Sequence, residues 1–321
     1  MTDVLAARSR SWVKSGFAAE PFASSRESLV LGTYKPDAST TGVLPGVPRT
    51  TVTSFSPIGG TTYENLTIET IMTPPAGTST IVFRNCFFRG TPSGQSSDVG
   101  VAKLYGTAHC PVEFYDCSFA AQFPSRWWNG AHGYGFKMWR CDVSQVIDTL
   151  NIFQSADPTG PLGVEIYQSY FHDFHWFPNP PETRATDGSH SDGVQLQGGS
   201  GFKFWGNNIQ AYNHPDFFNT YFGTNHGNAI MMIKPDVGVI TNVDIQFNWL
   251  DGGAAGLNIT HDNPRFLTNI GIIKNNKFGR GMRNGASWAI NRQSGITWDG
   301  GSGSTQNVYE DDGTVVPIRN G

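Results

Sequence analysis

The 321 residues carry 22 Lys and Arg against 26 Asp and Glu, a net charge of -4 with no basic cluster, which argues against a nucleic-acid or anionic-membrane surface. Charged residues are 15% where about 25% is usual, and the 38 glycines make about 12% where about 7% is usual, so long solvated helices are not expected. Aromatics at 13% exclude a disordered chain, because that much apolar area offsets the ordering entropy of a large core.

No run of apolar residues is long enough for a transmembrane helix, and no membrane insertion is expected. Met1 to Phe22 scatters Asp3, Arg8, Arg10, Lys14 and Glu20 without an apolar stretch, so no secretory signal is expected. Residues 1–60 read as an N-terminal arm: Ser9 to Phe22 as a short helix or docking segment, and the Pro-, Gly-, Thr- and Ser-rich Thr33 to Gly60 as an extended lead into a repeat region that begins at residue 61.

From residue 61 to 294 an irregular repeat emerges: an apolar residue, two variable positions, a small or amide residue, one variable position and a final apolar residue. It occurs at Phe83 to Phe88, Phe114 to Phe119, Met138 to Val143, Ile166 to Phe171, Phe204 to Ile209, Ile245 to Leu250 and Ile273 to Phe278. Successive spacings are 31, 24, 28, 38, 41 and 28 residues, in the range of solenoid units. Weaker alternating strands lie between, at Val194 to Leu196, Ile230 to Met232 and Leu257 to Ile259. With Gly, Asn and Asp at the joins and no helical pattern, the expected fold is all-β, a single-stranded parallel β-helix of about seven to nine coils whose like positions stack about 4.8 Å apart.

The fourth repeat position reads Cys86, Cys117, Cys141, Ser169, Asn207, Asn248, Asn276, a column expected to turn inward as a structural ladder. A straight column of thiols cannot surround a tetrahedral metal, so buried structural cysteines are expected, with no disulfide, no metal and no cofactor. Four cysteines without a CxxC pair fit a reducing site of synthesis. Residues 295–321, with a Gly/Ser loop at Gly300 to Ser304 and a strand pair within Val308 to Pro317, read as a C-terminal cap over an otherwise aggregating edge.

The two longest spacings mark corner insertions at residues 170–193 and 210–229. They hold His172, His175, His190, His214 and His226, with Trp176, Phe177, Phe217, Phe218, Tyr221 and Phe222. Such rings form either a private core or a stacking surface for a sugar, and Trp176 and Tyr221 are the ones expected to be exposed. Aligning the following strands places His190 over His226, Asp192 over Asn228, and Lys234 over His261, with Asp236 and Asp262 nearby. A stacked histidine pair beside a carboxylate suits metal binding or acid/base chemistry; the plainer account, which is preferred, is that Asp and His at a strand entry satisfy the turn backbone. Hydrolysis would draw two carboxylates from Asp187, Asp192 and Asp216, whereas elimination from a uronate would use Lys234 or Arg184 as base. The candidate catalytic residues are therefore His190, Asp192, Asp187 and Lys234, and the candidate glycan-binding residues Trp176, Tyr221, His214, Asp216, His226, Asn228 and His261.

The run Ala185-Thr-Asp-Gly-Ser-His-Ser-Asp-Gly-Val-Gln-Leu-Gln-Gly-Gly, followed by Phe202-Lys-Phe-Trp-Gly-Asn-Asn, resembles the signature of pectate-lyase-like right-handed β-helix proteins. Leu31-Gly-Thr-Tyr-Lys-Pro-Asp, Gly42-Val-Leu-Pro-Gly-Val-Pro-Arg, Trp127-Trp128-Asn129 and Asn307-Val-Tyr-Glu-Asp-Asp-Gly resemble, more narrowly, minor tail proteins of actinobacterial bacteriophages. The resemblance implies a virion protein of the tail tip or fibre, made in the host cytoplasm and partnered by other tail proteins. By analogy it also implies a homotrimer and contact with host cell-envelope polysaccharide. A structural and adhesive module is the main expectation, and a polysaccharide lyase or glycoside hydrolase the alternative.

Overall fold

The computed structural model describes residues 31–106, 108–154, 163–178, 187–261 and 268–321. The segment Ser9 to Phe22, Arg184 and Asp262 lie outside them. The described chain is all-β, built from short strands with three isolated 3-10 turns. Its strands form a ten-stranded and a sixteen-stranded sheet, and every strand-to-strand ladder in them is parallel.

The repeat is the register of these sheets. Tyr63, Phe83, Phe114, Met138, Ile166, Phe204, Ile245 and Ile273 pair in succession along the larger sheet. Ile68, Phe88, Phe119, Val143, Phe171, Ile209, Leu250, Phe278 and Tyr309 do so along the smaller one. Both columns point inward and are buried except for the first ring, Tyr63. Phe83 stacks on Phe114 at 5.6 Å and Phe88 on Phe119 at 4.8 Å, so the first rungs are filled by aromatic layers and the later ones mostly by Ile, Leu and Met. Each such fully buried side chain contributes about 1.5–3 kcal/mol relative to exposure.

Between the two columns the chain turns a tight corner at the third repeat position. Asn65, Asn85, Asp116, Arg140, Gln168, Gly206, Phe247 and Asn275 all take left-handed φ values, from 49° to 69°. Asn and Asp tolerate that conformation better than branched residues do. The corner aims the next side chain inward, where an amide ladder runs. Asn248 Nδ2 donates to Phe204 O (2.7 Å) and to Asn276 Oδ1 (2.8 Å), while Asn248 Oδ1 accepts from Asn207 N (2.9 Å) and Asn207 Nδ2 (3.0 Å). Asn276 repeats the pattern against Asn307, and Ser169 Oγ and the Cys141 amide continue it the other way.

Cys86, Cys117 and Cys141 complete the column as free, fully buried thiols, with Cys117 and Cys141 Sγ donating weakly to Phe83 O and Phe114 O. Cys110, also buried, sits outside it against Gly59 and Gly77. Since a thiolate must meet its reagent to react, all four cysteines are expected to resist an aromatic disulfide reagent in the native protein. They should then titrate together on unfolding, and rapid labelling of the native chain would contradict this packing.

Residues 31–49 do not simply lead into the first strands. They lie across the left-handed corner from Phe247 to Asn85 before Thr50–Val52 pairs with Leu66–Ile68 as the first rung of the smaller sheet. At the other end, Val308–Tyr309 and Ile318–Asn320 extend the two sheets in parallel.

Candidate functional site

Strand register differs from the sequence alignment by one residue. Val194 pairs with Met231, Leu196 with Ile233, and Asp192 with Ala229, because the inward side chains must share one face. His190 therefore does not stand over His226. Asn228 still reaches Asp192, its Nδ2 donating to Oδ1 at 3.0 Å. The next pairing, Ile233 with Ile259, likewise sets Lys234 level with Thr260 rather than His261.

The candidate residues fall into three places. Lys234, ion-paired to Asp236 at 3.1 Å, and His261, whose N–H donates to Gln293 Oε1, sit at the C-terminal end of the strands. Ala229 and Lys234 are five residues apart, roughly 16 Å along an extended strand, so Lys234 does not join His190 and Asp192 at the opposite end.

Asp192 is in the second place, the interior. It alternates onto the same face as Val194 and is only 2% exposed. Leu150 pairs with Val194, so Asp148 stands beside it on the same inward face, 6% exposed, with its Oδ1 accepting from Asp192 N at 2.8 Å. Burial pushes Asp192 up to about 7, against hydrogen bonds from Asn228 and Ala229 and the charge of His190. Burial and then the neighbouring Asp192 charge push Asp148 well above the usual carboxylate range. Asp148 was not picked out from sequence, although aligning Leu150-Asn-Ile with Val194-Gln-Leu would have revealed it.

The third place is the surface formed by the two insertions. His214 Nδ1 accepts from Asp216 N (3.2 Å) to cap a 3-10 turn, Pro215–Phe217. Asn219 and Thr224 then exchange both backbone hydrogen bonds, at 3.1 and 3.2 Å, and buried Asn219 Oδ1 accepts from the Tyr221 and Phe222 amides. This closed hairpin holds Phe218, Tyr221 and Phe222 out to solvent at 44%, 58% and 39% exposure. The Arg283 guanidinium lies 3.6 Å from the Phe222 ring centre, burial lowering its pKa while the charge of Asp187 opposes that. Asp187 in turn accepts from His190 Nε2 at 3.1 Å. His226 Nε2 meets Gly281 O at 2.6 Å and its ring packs on Tyr212, so it braces the loop instead of facing solvent.

Beneath the hairpin, Phe217 stacks on His175 at 3.9 Å and meets Phe177, a private core that carries no exposed ring. Burial, then the charge of His214, lowers His175 to about 4. Trp176, expected to be exposed, is only 5% so: Gly188 lies flat on its indole, where a Cβ would come within 2.3 Å of Cζ2. Phe218 and Phe222, expected with the other rings in the private core, are instead exposed beside Tyr221, because the hairpin turns them away from the sheets. Arg283 comes from the connection before a strand two rungs further on and had no local signal. Among the described residues no group of three or more His, Cys, Asp or Glu side chains is placed to hold a metal ion. No family model, no curated protein and no solved structure matches this chain.

Proposed function

We propose that the chain is a right-handed parallel β-helix serving as an adhesive module of a bacteriophage tail, with the Phe218–Phe222 hairpin as its contact to cell-envelope polysaccharide. The observation that carries the reading is that hairpin: three large rings held in water on a hydrogen-bonded frame, beside an Arg/Asp/His fringe. Apolar rings exposed together mark interaction surfaces, and aromatic faces with polar neighbours suit sugar rings. Right-handedness follows from the near-universal hand of parallel crossovers. The ten strands of the smaller sheet support a coil number at or just above the seven to nine expected. The tail assignment, the partner tail proteins and the homotrimer rest on the sequence resemblance.

Tyr221→Ala combined with Phe222→Ala is expected to abolish retention of the protein on host cell-wall polysaccharide, by about 10-fold or more in affinity, with thermal midpoint unchanged. Equal retention by wild type and variant would remove the hairpin from the reading. Detection of the protein in purified virions tests the tail assignment separately.

The alternative, a depolymerase, draws on the solvent-facing His190–Asp187 pair. It gains nothing from Asp148 and Asp192, whose inward position keeps a polymer away. Release of new reducing ends that His190→Ala abolishes would favour it.

A further inference from the structure

We propose that residues 31–44 act as a clasp that joins the last rungs of the stack to the first, so that the whole rod opens as one unit. In a stacked repeat each rung contacts only its neighbours, and terminal rungs open more readily than central ones. This segment escapes that limit. Lys35 Nζ pairs with Glu310 in the final rung at 2.8 Å. Pro36 O accepts from buried Asn208 Nδ2 at 2.8 Å, Gly42 N donates to Arg140 O at 2.8 Å, Val43 N donates to Ser118 Oγ at 3.0 Å, and Leu44 N donates to Asn85 Oδ1 at 2.6 Å. One short segment thus bonds, in order, rungs that are otherwise linked only through every rung between them.

The stack is also shaped to receive it. In the left-handed corner column the one glycine is Gly206, and a Cβ there would lie 2.6 Å from Leu31 Cδ1. Gly32 lies against the Phe247 ring in the next corner. Gly42, at φ 70°, approaches so closely that a Cβ would meet Ser118 Oγ at 2.6 Å and Asp142 Cβ at 2.8 Å. Between these points Asp37 Oδ1 accepts from the Ser39 and Thr40 amides, fixing the segment's own turn. The clasp is seated in a groove left by small residues on both sides.

The test is hydrogen exchange on the full chain, comparing the final strands (308–320) with a central rung (164–171). In the wild type both should exchange at similar slow rates. Gly42→Val blocks the close approach and should accelerate exchange about 100-fold both at 308–320 and in the central rung, the loss expected from two or more net hydrogen bonds that every opening of a single unit must break. Leu31→Ala with Lys35→Ala truncates the clasp and substitutes no residue of the stack, so it folds if the wild type does; it should accelerate exchange at 308–320 and in the central rung alike, by about 10-fold. Acceleration confined to residues near Ser118 and Asp142 in the first variant, or unchanged exchange at 308–320 in the second, would overturn the proposal.

Discussion

Asn248→Ala is expected to lower the free energy of unfolding by about 3–5 kcal/mol, among the largest effects of any single truncation in this chain. The buried Asn248 amide serves four partners in two adjacent rungs, and removing it leaves the Asn207 N–H and one interaction of the Phe204 carbonyl unmet in a site closed to water. Cys117→Ala, at the same repeat position four rungs earlier in the ladder, should cost only about 1 kcal/mol, because its thiol makes weak 3.3–3.6 Å contacts and leaves a small gap. Urea denaturation at constant slope measures both. Equal midpoints for the two variants would show that the ladder stabilises through packing alone.

The second large effect is electrostatic. Asp192, raised to about 7 in the fold, keeps its proton there, while in the unfolded chain it ionises near 4. The native state therefore binds the extra proton between about pH 4 and 7, and this group's contribution to stability falls as pH rises through that window, by about 1.4 kcal/mol per unit. Asp148, raised for the same reasons, acts with the same sign. His132 and His175, each lowered to about 4 by burial, act oppositely: they stay neutral in the fold, so stability is lost as pH falls from about 6.5 toward 4.

Asp192→Asn separates these contributions. The amide keeps the oxygen that accepts from Asn228 and carries no charge at any pH. At pH 8 the variant should be more stable than wild type by roughly 2–4 kcal/mol, with the difference shrinking toward pH 4. A variant less stable than wild type across pH 5–8 would place a bound counter-charge or an essential carboxylate at this position. His172 adds a third feature. Burial alone would lower it, but its hydrogen bonds to Asp142 and Asp173 hold it up to about 9, so its contribution is present below about pH 6.5 and lost as pH rises toward 9.

Much of the architecture was legible in the chain because a stacked sheet repeats one environment at every level. Phe83, Phe114, Met138 and Ile166 could be aligned from sequence alone, since each meets the same neighbours above and below. The ladder was legible through Asn276, and its continuation to Asn307 could have been read from the matching Asn-x-aromatic spacing in Asn307-Val-Tyr. The second strand set was less regular. There the register is offset by one residue from the sequence alignment, Asp192 pairing with Ala229, and alternation of Val, Leu, Met and Ile did not reveal it.

By itself the sequence determined the periodic core, the inward ladder, the all-β parallel character and the two insertions, all of which depend on local pattern repeated along one axis. Only the tertiary structure decided that Asp192 points inward beside Asp148, that Gly188 covers Trp176, that Arg283 stacks on Phe222 and that residues 31–44 lie across the rungs. Those contacts join segments far apart in the chain and off the repeat. Their partners are chosen by shape and burial in three dimensions, and no spacing along the sequence encodes them.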